Sequence, residues 1–153
     1  MNIQALVHLN INCSDFDVSR VFYEKLGFEV YLEVPPRNTP QVAAAVGFRD
    51  YELRGALMRH RSGRAPFVID LLEWRSPRND EAPYKELNHL GIARVAMATS
   101  DLDADTAELN AMGVEFVGEE ATVEWNGRPS SRFVCFKDPD GTVLELVQDL
   151  TSA

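Results

Sequence analysis

HLNINCSDFDVSRVFYEKLGFEV, residues 8–30, changes its period part-way along. The first third alternates, with Leu9, Ile11 and Cys13 on one face of an extended strand and His8, Asn10 and Asn12 on the other. At Ser14-Asp15 the alternation ends. A serine or aspartate there caps the orphan N–H groups of a new helix, and beyond it Val18, Val21, Phe22 and Leu26 recur at helical spacing. Gly27 stands where that helix stops, because positive φ costs glycine little. Phe22 and Tyr23 are read as core rather than as cofactor contacts, and a new strand begins at residue 28.

The same plan returns in RVAMATSDLDADTAELNAMGVEF, residues 94–116. At a constant offset of 86 and without gaps, Ser14 meets Ser100, Asp15 meets Asp101, Asp17 meets Asp103, Gly27 meets Gly113 and Glu29 meets Glu115. Leu102, Leu109 and Met112 form the helical stripe of this copy. After each helix the sequence turns strand-like, near 28–34, 52–59 and 66–74 in the first copy and near 115–124, 131–137 and 142–149 in the second. A short helix is expected around 41–46, and Asn126-Gly127 and Asp140-Gly141 mark turns. The fold class is therefore α+β, as two βαβββ modules.

The copies also end alike. FVIDLLEW at 67–74 and TVLELVQD at 142–149 align Asp70 with Glu145 at an offset of 75, each acid inside an otherwise apolar strand. A carboxylate in such a place is costly unless paired, so both ask for partners. The polar segment 76–90, with two prolines, is the expected linker between a first module at 1–75 and a second at 91–153.

Bulk properties narrow the function classes. The chain has 153 residues, 45% hydrophobic and 25% charged, the composition of an ordinary globular protein. Its formal charge of −9 argues against nucleic acid as a partner, since phosphate binding needs clustered Lys and Arg. The local basic run RHRSGR, 59–64, is read as a solvated hairpin tip. MNIQALVHLN lacks the basic and long apolar regions of a signal peptide, and no window approaches the roughly 20 apolar residues of a membrane span. A cytoplasmic protein without membrane association is expected, with Cys13 and Cys135 as buried, reduced thiols.

These stretches, with FVCFKDPDGTVLELVQ near the end, resemble the vicinal oxygen chelate superfamily: glyoxalase I, bleomycin resistance proteins and extradiol dioxygenases. The resemblance covers essentially the whole chain. It implies that the two modules form a curved, cup-shaped mixed sheet with helices outside, often completed by homodimerisation, and that the cup takes a small organic molecule. In metal-dependent members, ligands come from the first and last strand of each module. The matching positions are His8, Asp70, Arg94 and Glu145.

Arg94 departs from that pattern, because a guanidinium has no acceptor and stays protonated. At about 4 Å and an effective dielectric near 20, each unit-charge pair is worth roughly 4 kcal/mol, so a divalent ion beside Arg94 is repelled by about twice that. The resemblance, so modified, implies metal-free chemistry of the isomerase, epimerase, cyclase or lyase type. Arg94 would stabilise a developing oxyanion, and His8 or Glu145 would move a proton. Asn10, Asn12, Asp70, Trp74 and Trp125 are the substrate-binding candidates. Three alternatives stand beside this: His8, Asp70 and Glu145 holding a divalent Fe, Mn, Ni or Zn ion in a dioxygenase or glyoxalase, a non-catalytic protein sequestering a toxic compound, and a purely structural ion network. His89 is read as a linker or strand-entry residue.

Overall fold

The computed structural model describes residues 1–63 and 67–151, so Arg64, the last residue of the basic run, and Pro66, the expected start of a strand, lie outside the described residues. The chain divides into two compact units, Met1–Glu81 and Ala82–Ala153, and the division falls within the polar segment 76–90.

The first unit runs β1 (Leu9–Asn12), α1 (Phe16–Lys25), β2 (Phe28–Val34), α2 (Pro40–Ala45), β3 (Glu52–His60) and β4 (Val68–Ser76). Its sheet has the order β1-β4-β3-β2, with β1 parallel to β4 and the other neighbours antiparallel. The second unit runs β5 (Val95–Thr99), α3 (Leu102–Ala111), β6 (Ala121–Trp125), β7 (Arg128–Lys137) and β8 (Val143–Asp149), in the matching order β5-β8-β7-β6. The α+β class and the doubled βαβββ plan expected from the repeat are thus what the structure has.

Local chemistry explains the helix starts. Asp15 accepts from the N–H groups of Asp17 and Val18, and Asp101 from that of Ala104. Thr39 caps α2, with Pro40 at the first helical position where its missing N–H is no loss. Each long helix gains a further partner from the last strand of its own unit. Glu73 accepts from the Phe16 N–H and Gln148 from the Leu102 N–H, and these two acceptors are related by the same offset of 75 as Asp70 and Glu145. Arg54 on β3 grips Asp17 with two hydrogen bonds of 2.6 and 2.7 Å, and Arg132 on β7 grips Asp103 in the same way. Such exposed pairs add little stability singly, but they fix how each helix lies on its sheet.

The stripe of α1 differs from the simplest reading of its spacing. Phe16, Ser19, Phe22 and Tyr23 are buried, whereas Val18 and Val21 remain 53% and 45% exposed. Aromatic rings remove more apolar area from water than valines do, so the helix face that carries Phe16, Phe22 and Tyr23 is the one turned inward. Tyr23 meets Phe22 and Phe28 edge-on at 5.3 and 6.1 Å, and Met58, Ile69 and Leu71 on β3 and β4 are buried as completely as it is. In the second unit Leu102 and Leu109 pack with Val134, Phe136 and Leu144 as the buried core.

Two further elements depart from expectation. The strand expected over 115–124 forms only at Ala121–Trp125, preceded by a single bridge from Phe116 to Phe136. Gly118-Glu119-Glu120 lies between them and offers no apolar face to bury. The basic run is tied down along the part described: Arg59 pairs with Glu29 at 2.9 Å, and Arg61 donates to the Glu24 and Phe28 carbonyls beside the C-terminal end of α1.

Gly55 sits in the middle of β3 between Val34 and Leu72. A Cβ there would overlap the Leu72 side chain and come within 2.6 Å of the Leu71 carbonyl oxygen. Gly55→Ala is expected to destabilise the first unit by about 1–3 kcal/mol, seen as a lower urea midpoint.

Candidate functional site

Strand register decides which side chains meet. In the first unit Asn10 is opposite Asp70 and Asn12 opposite Leu72, with Ile11 and Cys13 buried beneath. His8, one residue before β1, reaches Asp70, with Nε2 4.0 Å from Oδ2. The Asn10 amide donates to the Asp70 main-chain carbonyl at 3.0 Å. Asp70 Oδ1 is buried with no hydrogen-bond partner among the described residues, since its neighbour on β3 is Leu57. Burial pushes the Asp70 carboxyl above its ordinary range, opposed by the His8 imidazole and the Asn10 amide.

The second unit holds the repeat-related pair at closer range. Arg94, one residue before β5, has Nε 2.5 Å from Glu145 Oε2. Glu145 is opposite Ala96 on one side and Cys135 on the other, and the Cys135 thiol donates to the same oxygen at 3.4 Å. Burial, with Glu145 adding to it, pushes the Cys135 thiol up to about 11. Glu145 is buried while Arg94 is partly open to solvent. An ion pair reachable from one side can exchange one partner for an anionic ligand.

Among the described residues no three His, Cys, Asp or Glu side chains come together as a metal-holding group. In the second unit the donors themselves do not fit a divalent cation. Glu145 is engaged by a guanidinium, and its other neighbour is a thiol that stays protonated at neutral pH. His8 and Asp70 in the first unit are donor types a metal accepts, as a pair only.

The other candidates separate. Trp74 lies two positions beyond Leu72 on β4, and its indole N–H donates to Asn12 Oδ1 at 2.9 Å. Its ring meets Phe48 at 5.3 Å and Tyr51 at 5.6 Å, above a buried cluster of Ala43, Tyr51, Leu53 and Leu72. Trp125 is 73% exposed at the β6–β7 turn. It pairs with Arg128, seven residues and about 23 Å of strand from Cys135, so it does not join the Arg94–Glu145 pair. His89 stacks on Tyr84 at 3.9 Å in the segment before β5.

Sequence reasoning read Cys135 only as a buried thiol and not as a neighbour of Glu145, and it did not find Phe48 or Tyr51. A signal for the first existed: Cys135 and Glu145 each stand five residues from Asp140, so hairpin register counted from that turn pairs them. Phe48 and Tyr51 reach Trp74 through the packing of α2, for which no periodicity speaks.

The model of the Glyoxalase/Bleomycin resistance protein/Dioxygenase superfamily matches residues 5–146. The chain belongs to this superfamily. A curated relative, the uncharacterised protein YwkD of Bacillus subtilis, is 28% identical over 149 residues, covering 97% of this chain and 99% of that one. Among solved structures, a glyoxalase family protein from Bacillus cereus superposes with a TM-score of 0.77 at 22% identity, over 98% and 99% of the two chains. TnmS3, an antibiotic binding protein from Streptomyces, gives 0.62 at 22% identity, over 97% and 98%. At these identities the structural likenesses speak to the fold. No helix among the described residues is long and apolar enough to cross a membrane.

Two outcomes follow from the electrostatics. Because the folded-state pKa of Asp70 is raised, the native protein holds that proton longer than the unfolded chain does, and stability falls as pH rises from about 4 through the folded-state value. Urea titrations of Asp70→Asn are therefore expected to improve relative to wild type between pH 3 and pH 7, with the two curves closest at the acid end. For Cys135, in a Cys13→Ser background, a thiol at about 11 leaves about a hundredfold less thiolate at pH 8 than an ordinary one. Iodoacetamide alkylation of the native protein should be slower than that of free cysteine by at least that factor.

Proposed function

We propose that this protein is a small-molecule enzyme whose electrophile is Arg94, acting without a metal on a carboxylate, enolate or phenolate oxygen. The Arg94–Glu145 pair carries the reading. Glu145 engages Nε, and the guanidinium has four further N–H donors in a planar fork suited to an oxyanion. A fixed cation beside a forming enolate supplies the stabilisation that preorganised donors give a developing negative charge. Glu145, adjacent to that charge, moves the proton, and His8 beside Asp70 is the second candidate for that role. Proton movement next to a stabilised enolate is the chemistry of isomerases, epimerases, cyclases and lyases. The reading includes Asn10, Asn12, Asp70 and Trp74 as binding residues and a cytoplasmic homodimer as the working form.

Sequestration without turnover is the second reading. It is favoured by the indole of Trp74, held in place by Asn12, and by the fold shared with an antibiotic-binding protein.

The test is deuterium incorporation from solvent into enolisable 2-oxo and 3-oxo carboxylates, followed by NMR on protein purified without added metal. Wild type is expected to accelerate exchange, and Arg94→Ala to lose about 10²–10³ of that rate with an unchanged circular dichroism spectrum. Unchanged exchange in Arg94→Ala overturns the reading. Stoichiometric Fe, Mn, Ni or Zn whose removal abolishes turnover replaces it with the metal-dependent one. Tight binding with every ligand recovered unaltered replaces it with sequestration.

A further inference from the structure

The first unit spends an exposed strand position on fixing one ring. Asn12 is exposed on the edge strand β1, yet its side-chain oxygen is committed to the only polar group of Trp74. The bond spans two neighbouring strands and favours one orientation of the indole, with its apolar surface as what it has to offer. Below and behind the ring, Tyr51, Leu53, Leu72 and Ala43 form a closed base. Phe48 adds a second ring that is 39% exposed. Neither neighbour stacks on the indole: Phe48 is tilted by 57° and Tyr51 by 62°. A preorganised ring, partly open and without a parallel partner among the described residues, suits a flat guest, because its ordering cost is already met by the fold.

Along the same strands the character changes. Asn10 precedes Asn12 on β1 and His8 stands just before that strand, and Asp70 precedes Leu72 on β4, its Oδ1 without a hydrogen-bond partner among the described residues. Trp74 stands four positions along β4 from Asp70, about 13 Å. One end of this face is aromatic, and the other is polar, with both donors and acceptors.

We infer that the first unit selects a planar aromatic molecule carrying an oxygen-bearing polar group, its ring against Trp74 and Phe48 and its polar group directed toward Asn10, Asp70 and His8. This rests on the small-molecule reading above and adds to it a ligand-binding face of the first unit. A ligand of two fused rings with one carboxylate is shorter than the separation of the two ends and is held by the aromatic end first.

The experiment uses the full chain with Trp125→Phe, so that a single indole N–H resonance reports Trp74. The probes are 2-naphthoate and its saturated decahydro analogue, which share the carboxylate and nearly the same outline. Calorimetry is expected to show 2-naphthoate binding at least tenfold tighter than the analogue, and NMR to show a ring-current shift of the indole N–H with 2-naphthoate only. Phe48→Ala, at an exposed position that the core does not need, should weaken 2-naphthoate about fivefold and the analogue less than twofold. Asn12→Leu should weaken 2-naphthoate similarly while speeding exchange of the indole N–H. Equal affinity for the two acids, an unmoved indole resonance, or no binding of either overturns the inference. Equal affinity of both acids leaves the Arg94 reading intact, whereas that reading fails on the separate observation that Arg94→Ala exchanges deuterium as fast as wild type.

Discussion

In each unit the first strand lies parallel against the last, and the chemistry is built on that pairing. A parallel neighbour cannot be reached by a hairpin, so the chain must travel through a helix and two more strands before it returns to β1 as β4, or to β5 as β8. The return fixes a register in which Asn10 and Ala96 lie opposite the acids of the last strands, and the residue just before each first strand reaches that acid diagonally. His8 meets Asp70 and Arg94 meets Glu145 because of that register, although the partners stand 62 and 51 positions apart in the chain. The same pairing puts Glu73 and Gln148 within reach of the helix starts, so the strand that carries the acid on one face also caps the helix on the other. One register thus serves packing and site together, and a slip by one residue would exchange the two faces.

The sequence made much of this legible because the two copies share their spacing. Ser-Asp before each helix and Gly after it were enough to place α1 and α3, since capping and termination depend on single residues and their immediate neighbours. The alignment of Asp70 with Glu145 and of His8 with Arg94 named the pairs that the structure brings together. What stayed hidden depends on rotation or on distant packing. The roll of α1 that buries Tyr23 and leaves Val21 exposed is set by competition among apolar side chains on one helix, which spacing alone does not rank. The bond from Trp74 to Asn12 joins residues 62 apart, and Phe48 reaches the ring only because α2 folds over Leu53 and Leu72.

The two copies did not keep the same things. On the helix side they agree closely: Asp17 with Arg54 and Asp103 with Arg132, and Glu73 and Gln148 as helix acceptors. On the opposite face a matching edge pair remains, Glu29 with Arg59 and Glu115 with Lys137, but around the two acids the repeat-related positions differ. His8 is matched by Arg94, Asn10 by Ala96, Asn12 by Ala98, Leu57 by Cys135 and Trp74 by Asp149. The consequence for the two acids is opposite. Asp70, beside Leu57, keeps a buried oxygen without a hydrogen-bond partner among the described residues, while Glu145, beside Cys135 and Arg94, has one oxygen doubly engaged. A βαβββ unit needs its helix oriented and its sheet registered whichever copy it is, so the residues that do this are the same twice. Nothing in folding requires a fixed indole, an orphaned carboxylate and a partly open guanidinium to be distributed unequally between two otherwise matching units. That inequality lies in the side chains around the two acids, where the needs of folding are the same in both units and so do not account for it.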